Sequence, residues 1–449
     1  MKSLKNIQNV YFIGIGGIGM SAVARYFASI GKNVAGYDKT TTQLTNNLKE
    51  LGIEICLSEK VKDIPEAFLN TNNTLVVYTP AIPFKHKQLL YFQEHNFEVH
   101  KRAKILGFIT KDTFTLAVAG THGKTTTSTI LAHLLYEAGE KVTAFLGGIS
   151  ENYQSNYISR GNDVVVVEAD EFDRSFLQLF PNISAITSMD ADHLDIYGAH
   201  DALVDSFKAF AALTKNQLYK TNGLNIDGLS IGIDNNADYS AINVKVKNGS
   251  YYFDLKTPSK TINNLIVTLP GHHNLRNTIT AFVMAMQYGT NVEKLKAALV
   301  TFKGIQRRFS YQIKTDTLIY IDDYAHHPTE INALHQAVRE MHPNKKILAI
   351  FQPHLFSRTK DFAEDFGKSL AQFDELLLLD IYPARELPVK GITSEWLLSL
   401  INCDCKELTS KENLISKIKN SKADVIVTIG AGDIGVEVIK IKEALLAYA

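Results

Sequence analysis

Two glycine-rich loops, each between an apolar run and a helical pattern, carry most of the chemical information in this sequence. The second reads Gly-Thr-His-Gly-Lys-Thr over Gly120–Thr125, between the apolar run Thr115–Ala119 and helical spacing over Thr125–Ala138. Backbone N–H groups at such a turn bind phosphate oxygens, the lysine reaches the β- and γ-phosphates, and the hydroxyl ligates Mg²⁺. The loop therefore predicts an ATP site. Its predicted contact residues are Gly120, Thr121, His122, Gly123, Lys124, Thr125 and Thr126.

Carboxylates follow the next apolar strand. Val164–Glu168 is an apolar run that ends in a glutamate. Open α/β sheets bind ligands at the carboxyl ends of their strands, so Glu168 is predicted to hold the Mg²⁺ that Thr125 also contacts. Three further carboxylates fit a solvated acidic turn equally well: Asp170, Glu171 and Asp173.

A histidine between aspartates follows a further short strand. The strand is predicted over Ala185–Thr187, and Asp190-Ala-Asp-His193-Leu-Asp195 comes after it. Two metal ions suit phosphoryl transfer to an oxyanion, and His193 is the candidate ligand of the second ion.

The first glycine-rich loop fits either a dinucleotide or a sugar nucleotide. Gly14-Ile-Gly-Gly-Ile-Gly19 follows the strand Val10–Ile13, which begins the apolar run Val10–Ile15, and a helix is predicted from about Met20. An acid follows the next strand, Asn33–Tyr37, as in dinucleotide sites. A nicotinamide oxidoreductase is one interpretation, but a UDP-sugar presents the same diphosphate and ribose. The residues predicted to contact this ligand are Gly14, Gly16, Gly17, Gly19 and Asp38.

Composition narrows the class of protein. The 449 residues include 47 basic and 47 acidic side chains, so no basic surplus favours nucleic acid as a partner. Three cysteines are too few for a disulfide framework and are expected as free thiols. No apolar run reaches the roughly 18 residues of a membrane span, and the N-terminus lacks a signal-peptide pattern. We therefore expect a cytoplasmic protein without membrane insertion.

Short apolar strands alternate with helical patterns along nearly the whole chain, which predicts parallel sheets with crossover helices. Three blocks are predicted, at 1–108, 109–304 and 305–449, with a small mixed β segment over about 216–270. The other predicted strands are Thr74–Tyr78, Lys346–Phe351, Glu375–Asp380 and Val425–Ile429.

Ten motifs, taken in order, resemble those of the Mur ligase family. They are G-I-G-G-I-G-M-S at 14–21, G-T-H-G-K-T-T-T at 120–127, E-A-D-E at 168–171, D-H-L-D at 192–195, G-H-H-N-L-R-N at 271–277, R-R-F at 307–309, D-D-Y-A-H-H-P-T-E at 322–330, F-Q-P-H at 351–354, Y-P-A-R-E at 382–386 and G-A-G-D-I-G at 430–435.

The resemblance implies an α/β fold of three domains. These are a Rossmann-like N-terminal domain for the UDP-sugar, a central P-loop ATPase domain with a mostly parallel sheet, and a Rossmann-like C-terminal domain for the amino acid. It also implies an ADP-forming ligase with UDP-N-acetylmuramate, L-alanine, ATP and Mg²⁺ (or Mn²⁺), working as a monomer or weak homodimer. ATP would phosphorylate the muramate carboxylate, and the amine of alanine would attack the acyl phosphate.

The resemblance assigns roles to single residues. The implied catalytic residues are Lys124, Glu168, His193 and Arg308. The implied metal ligands are Thr125, Glu168 and His193. The implied ATP contacts outside the loop are Asn274, Asn277, Arg308 and Asp323. The implied amino-acid contacts are Tyr324, His326, His354 and Arg358.

Some positions depart from the family pattern, and some alternatives stay open. Leu355 stands where many relatives have an arginine, Ser188 where an asparagine is usual, and Phe172 where a small residue is usual. Lys208 aligns loosely with a lysine that is carbamylated in sister ligases, although a surface helix lysine is the simpler interpretation. A sister ligase that attaches a whole tripeptide is the main functional alternative.

Overall fold

The chain forms two compact units that together contain three sheets. The computed structural model describes residues 6–190, 200–247, 249–384 and 386–447. The first unit comprises Met1–Asn243, Phe253–Leu265 and Arg276–Phe302. The second comprises Val244–Tyr252, Ile266–Leu275 and Lys303–Ala449.

The first sheet, in the first unit, has five parallel strands in the order β3-β2-β1-β4-β5. The strands are β1 (Asn9–Ile13), β2 (Asn33–Tyr37), β3 (Glu54–Cys56), β4 (Thr74–Tyr78) and β5 (Glu98–Lys101). The helices are α1 (Ile18–Ser29), α2 (Gln43–Glu50), α3 (Lys87–Glu94) and α4 (Arg102–Lys111), with 3₁₀ turns at Val61–Asp63 and Glu66–Phe68. The strand order reverses between β1 and β4, which is where such sheets bind ligands.

The second sheet has ten strands in the order β15-β14-β13-β12-β11-β10-β6-β9-β7-β8. They are β6 (Phe114–Ala119), β7 (Val142–Ser150), β8 (Ser155–Ser159), β9 (Val164–Ala169), β10 (Ile183–Ile186), β11 (Gln217–Thr221), β12 (Leu229–Ile233), β13 (Tyr239–Lys247), β14 (Ser250–Lys256) and β15 (Thr261–Val267). The associated helices are α5 (Lys124–Ala138), α6 (His200–Ala212), α7 (His272–Tyr288) and α8 (Val292–Thr301), with a 3₁₀ segment at Phe172–Gln178. The strands from β13 to β7 pair in parallel, and β8 pairs antiparallel with β7.

The third sheet, in the second unit, has six strands in the order β16-β17-β21-β18-β19-β20. They are β16 (Ser310–Lys314), β17 (Ile319–Asp323), β18 (Ile347–Phe351), β19 (Glu375–Leu378), β20 (Lys406–Leu408) and β21 (Val425–Ile429). Only β16 is antiparallel to its neighbour. The helices are α9 (Pro328–Met341), α10 (Phe356–Asp361), α11 (Ala363–Leu370), α12 (Ser394–Leu400), α13 (Leu414–Asn420) and α14 (Ile434–Leu446), with a 3₁₀ turn at Lys411–Asn413.

Burial explains why the central strands read as continuous apolar runs in the sequence. Val164–Val167 of β9 and Leu116–Ala119 of β6 are at most 1% exposed, because helices cover both faces of a parallel sheet. Helix α5 is also buried on most sides, from Thr126 to Leu135. The glycines that cap it at either end, Gly123 and Gly139, both have positive φ, which a residue without a Cβ adopts at low cost.

The predicted fold class is confirmed, with three α/β sheets that are mostly parallel. The strands Asn33–Tyr37, Thr74–Tyr78 and Val425–Ile429 have the predicted bounds. The first strand ends at Ile13, as predicted for the strand before the loop, although the apolar run continues to Ile15, because Gly14 turns the chain with φ of 87°. The domain boundaries at 108 and 304 stay predictions. In the described parts of the chain, we find no helix with the length and apolar character needed to cross a membrane.

Candidate active site

Sheet order brings three chain segments together in the first unit. Strand β6 lies between β10 and β9, and all three are parallel, so the loops that follow them meet at one edge of the sheet. Gly120–Thr125 follows β6, Thr187 and Ser188 follow β10, and Glu168–Glu171 lies at the end of β9. The residues of the predicted ATP site are therefore neighbours in the structure, although they are distant in sequence.

The phosphate loop passes very close to the end of β10. A Cβ added to Gly120, whose φ is 137°, would lie 2.2 Å from the Thr187 Oγ1. Thr187 Oγ1 donates to the His122 carbonyl at 2.5 Å, and the His122 N–H donates to Ser188 Oγ at 2.7 Å. Ser188 Oγ also lies 2.8 Å from Thr121 Oγ1. Ser188, which departs from the family pattern, thus positions the loop through its hydroxyl.

Lys124 forms a buried ion pair with Glu171. The Lys124 Nζ donates to both carboxylate oxygens of Glu171 at 2.8 Å and to the Gly120 carbonyl at 2.5 Å. Burial alone lowers the pKa of Lys124, but the carboxylates of Glu171, Asp170 and Glu168 outweigh it and the pKa is raised. The lysine is therefore charged at neutral pH and can attract phosphate oxygens. The interpretation of Glu171 as part of a solvated turn is wrong, because the residue is 0% exposed.

Glu168 lies beside the hydroxyl that is predicted to share its metal ion. Its Oε2 accepts from Thr125 Oγ1 at 3.1 Å, and its Oε1 accepts from Ser128 Oγ at 3.1 Å and the Gly147 N–H at 2.5 Å. Burial raises the pKa of Glu168, and these three hydrogen bonds oppose the rise. A carboxylate and a hydroxyl in contact supply the hard oxygen donors that Mg²⁺ prefers.

The second predicted metal position follows β10. His193, Asp192 and Asp195 lie outside the described residues. Asp190 is described, and its Oδ2 lies 3.4 Å from the Nε2 of His122. Among the described residues, no group of three or more His, Cys, Asp or Glu side chains could hold a metal ion.

The first glycine-rich loop turns at the carboxyl end of β1. Its Gly16 N–H donates to Asp38 Oδ2 at 2.7 Å, so this acid contacts the loop itself. A Cβ added to Gly19 would lie 2.4 Å from an Nη atom of Arg102, whose other Nη lies 3.5 Å from Asp170 Oδ2. Arg102, which the sequence did not single out, thus links this loop to the acidic end of β9.

The two asparagines predicted to contact adenine lie on α7. Asn277 belongs to the first unit, and a Cβ added to Gly123 would lie 2.7 Å from its Oδ1. It is thus next to the phosphate loop. Asn274 belongs to the second unit, and its Nδ2 donates to the Pro270 carbonyl at 2.7 Å.

In the second unit, Asp323 fixes the backbone that carries Arg308. Its carboxylate accepts from the Phe309 N–H at 2.7 Å and the Ala325 N–H at 2.8 Å. Arg307 and Phe309, on either side of Arg308, both have positive φ. Burial raises the pKa of Asp323 to about 6. The guanidinium of Arg308 lies 5.3 Å from the ring centroid of Tyr324, within cation–π range.

The four predicted amino-acid contacts come together in one cluster. The His326 ring lies 5.4 Å from the Tyr324 ring and 6.0 Å from the His354 ring, measured between centroids. An Nη of Arg358 lies 3.4 Å from His354 Nδ1, and Arg358 is 8% exposed.

Two further residues lie near this cluster in sequence or in space. Leu355, the departure from the family pattern, has φ of 72° and is buried at the start of α10. Sequence reasoning missed Tyr382, whose ring stacks on His354 at 5.7 Å.

Comparisons with known proteins agree with this arrangement. Three family models match the chain in succession: "Mur ligase family, catalytic domain" over residues 9–113, "Mur ligase middle domain" over 118–285 and "Mur ligase, glutamate ligase domain" over 307–432. The UDP-N-acetylmuramate–L-alanine ligase of Christiangramia forsetii is 61% identical over 452 residues, covering 100% of both chains. The chain belongs to the Mur ligase family.

Solved structures of related ligases also match this Mur ligase over nearly its whole length. The UDP-N-acetylmuramate-alanine ligase of Thermotoga maritima matches with a TM-score of 0.84 and 27% identity, covering 98% of this chain and 100% of that one. The murein peptide ligase of Psychrobacter arcticus matches with a TM-score of 0.69 and 20% identity, covering 98% of each chain. The second likeness shows the fold alone. Family membership favours a ligase over a nicotinamide oxidoreductase.

Two smaller predictions concern Lys208 and the three cysteines. Lys208 is exposed on α6, with its Nζ 3.6 Å from Asp205 Oδ1, and its carbamylation stays a prediction. Cys56, Cys403 and Cys405 are free thiols, as predicted.

Proposed function

We propose that this Mur ligase joins L-alanine to the carboxylate of UDP-N-acetylmuramate, with hydrolysis of ATP to ADP and phosphate, in peptidoglycan precursor synthesis. The observation that carries the proposal is the 61% identity, over the full length of both chains, to a relative with that name. The buried Lys124–Glu171 pair beside Thr125 and Glu168 supports it, because it supplies a charged phosphate-binding lysine and a set of oxygen donors.

In this proposal the free carboxylate of the sugar is first activated, because a carboxylate is a poor electrophile. Its oxygen attacks the γ-phosphorus, ADP leaves, and an acyl phosphate forms. The amine of alanine then attacks the acyl carbon, and phosphate leaves with the electrons of the C–O bond. Lys124 and the N-terminal N–H groups of α5 bind the phosphate oxygens, whose negative charge they complement.

Thr125 and Glu168 fit a Mg²⁺ (or Mn²⁺) ion, and His193 is the proposed ligand of a second. Such ions neutralise phosphate charge when they are bound. Asn277 and Asn274 are assigned to the adenine. Arg308 is assigned to ATP, with Asp323 fixing the backbone around it.

The remaining assignments concern the other substrates. The loop Gly14–Gly19, with Asp38, is assigned to the UDP-sugar, and the cluster of Tyr324, His326, His354 and Arg358 is assigned to alanine. We place the enzyme in the cytoplasm, where ATP and sugar nucleotides are available, as a monomer or weak homodimer.

The deciding experiment measures phosphate release with ATP, Mg²⁺ and UDP-N-acetylmuramate while the amine is varied. L-Alanine should stimulate turnover, and the tripeptide L-alanyl-γ-D-glutamyl-meso-diaminopimelate should not. Stimulation by the tripeptide alone would show that the enzyme is the sister ligase. A fluorescence titration with NADH serves as a control for the first glycine-rich loop, and tight binding there would contradict the UDP-sugar assignment.

A further inference from the structure

The incoming alanine carries an ammonium group at neutral pH, and an ammonium nitrogen has no lone pair with which to attack an acyl phosphate. A base must therefore remove a proton from it first. We propose that His326 is this base, acting through its Nε2, and that Glu330 is the residue that positions it. This inference rests on the proposed function and assigns a chemical step to one residue of the alanine cluster.

Hydrogen bonds fix which ring nitrogen of His326 is available. Its Nδ1 lies 2.9 Å from the Tyr324 carbonyl and 3.3 Å from Glu330 Oε2. Both neighbours are acceptors, so Nδ1 carries the proton and donates it to them. The lone pair of the neutral ring is then on Nε2, which is the atom that can accept a proton.

The charges around His326 favour its neutral form. Burial lowers the pKa of His326, the nearby guanidinium groups of Arg358 and Arg308 lower it further, and Glu330 opposes them. The other rings against it, Tyr324 and His354, lie 5.4 and 6.0 Å away between centroids. A neutral imidazole at neutral pH is the state that a base requires.

Glu330 holds both the backbone and the ring of His326. Its Oε2 accepts the His326 backbone N–H at 2.9 Å and lies 3.3 Å from Nδ1. Its Oε1 lies 3.9 Å from an Nη of Arg308. When the ring takes up a proton, the imidazolium charge faces this carboxylate and is stabilised by it. The arrangement resembles other pairs in which a carboxylate orients a catalytic imidazole.

The position of Arg358 fits the same substrate. The amine and carboxylate of alanine are borne on one carbon atom, so the groups that bind them must be neighbours. Arg358 contacts His354, whose ring lies beside that of His326. A guanidinium can bind the carboxylate through two N–H groups, which leaves the ammonium within reach of His326.

Proton transfer precedes formation of the amide bond. Nε2 of His326 accepts one proton from the ammonium, giving an imidazolium and a neutral amine. The amine lone pair forms the C–N bond, and the C–O bond to phosphate breaks with its electron pair on the phosphate. The departing phosphate takes the second proton from the amide nitrogen, and the imidazolium returns its proton to water.

Hydroxylamine provides a test that separates the base from the rest of the site. It is largely uncharged at neutral pH, so it attacks an acyl phosphate without a base and gives a hydroxamate. With His326→Gln, the rate of ligation at saturating alanine should fall about 100-fold or more, the range typical of general-base catalysis, while hydroxamate formation changes little. Alkaline pH, at which more alanine is a free amine, should partly restore ligation.

A second variant tests Glu330 without removing the base. Glu330 raises the pKa of His326, so Glu330→Gln should lower that pKa. In the pH profile of the ligation rate, the acid limb should then move to lower pH, and the maximal rate should fall because the ring is less well positioned. His342→Gln is the matched control. Its ring is also in the second unit with its pKa lowered by burial, but it contacts Tyr311, so ligation should stay at the wild-type rate.

Unchanged ligation at saturating alanine in His326→Gln, or an equal loss of ligation and hydroxamate, would overturn the role of His326. An unshifted acid limb in Glu330→Gln would overturn the role of Glu330. If the wild-type enzyme forms no hydroxamate from UDP-N-acetylmuramate, the proposed function itself is wrong, which is a separate result.

Discussion

The Nζ of Lys124 lies 2.8 Å from each carboxylate oxygen of Glu171, a side chain that is 1% exposed. The pair joins the first residue of α5 to the loop after β9, and it keeps the lysine charged at the place where phosphate is proposed to bind. Such a pair is costly to break, because the remaining partner stays buried without a counter-charge.

Removing either member of this pair should therefore destabilise the first unit. We expect Lys124→Met and Glu171→Gln each to lower the free energy of unfolding by about 3–5 kcal/mol, and the double variant to lose less than the sum. Urea unfolding followed by circular dichroism measures this. Lys141→Met, which breaks an exposed pair with Asp163 at 3.8 Å, should change stability by at most about 1 kcal/mol.

Lys124→Met also tests the role of Lys124 in turnover. Lys124→Met should abolish phosphate release while UDP-N-acetylmuramate still binds, as measured by calorimetry, because the UDP-sugar is assigned to another loop. Normal phosphate release in this variant would refute the role of Lys124.

Gly147 lies against Glu168, the proposed metal ligand, and leaves no room for a side chain. An added Cβ would lie 2.4 Å from Glu168 Oε2, so Gly147→Ala must displace the carboxylate. We expect the Mg²⁺ concentration for half-maximal activity to rise about 10–100-fold, as when residues that orient a metal ligand are altered. Ser128→Ala removes one hydrogen bond to Glu168 without crowding it and should have a smaller effect. A lower kcat with unchanged Mg²⁺ dependence would argue against Glu168 as a ligand.

Asp323 makes stability depend on pH in a defined direction. Its pKa in the folded chain is about 6, against 3.8 ordinarily, so the folded state holds the proton more tightly. Stability relative to Asp323→Asn should fall by about 3 kcal/mol as the pH rises from about 3 to about 7, with the steepest loss between about pH 4 and 6, and should be constant above about pH 7. Urea unfolding of both proteins across this range measures the difference, from which the titration of Asp322 cancels. If the free energies of unfolding of the two proteins changed with pH in parallel, the prediction would be contradicted.

Arg358 should matter for alanine far more than for ATP. The guanidinium is buried, so Arg358→Ala leaves the alanine carboxylate without its partner and should cost about 2–5 kcal/mol of alanine binding. Steady-state kinetics should show a large rise in the KM for alanine and little change in the KM for ATP. Arg358→Lys keeps the charge but cannot bind the carboxylate in a bidentate manner, so it should be more active than Arg358→Ala and less active than the wild type. Equal effects on both KM values would count against the assignment.

The sequence by itself determined the features that depend on short covalent spacing. Lys124 and Thr125 follow Gly120 within one turn and begin a helix, so their place at its N-terminus was predictable. Glu168 was predictable for the same reason, because an apolar strand that ends in a carboxylate presents it at the sheet edge. The α/β class followed from the alternation of apolar runs and helical patterns.

Only the tertiary structure decided which distant residues complete each site. The choice of Glu171 over Asp170 and Asp173 as the partner of Lys124 depends on the turn after β9, where Asp173 has positive φ. The contacts of Ser188 and Gly147 depend on β10 and β7 lying on either side of β6 and β9. Strand order is set by packing of whole elements, which no local spacing encodes. For that reason the sequence predicted the phosphate loop and its first carboxylate, but not the contacts that hold them in place.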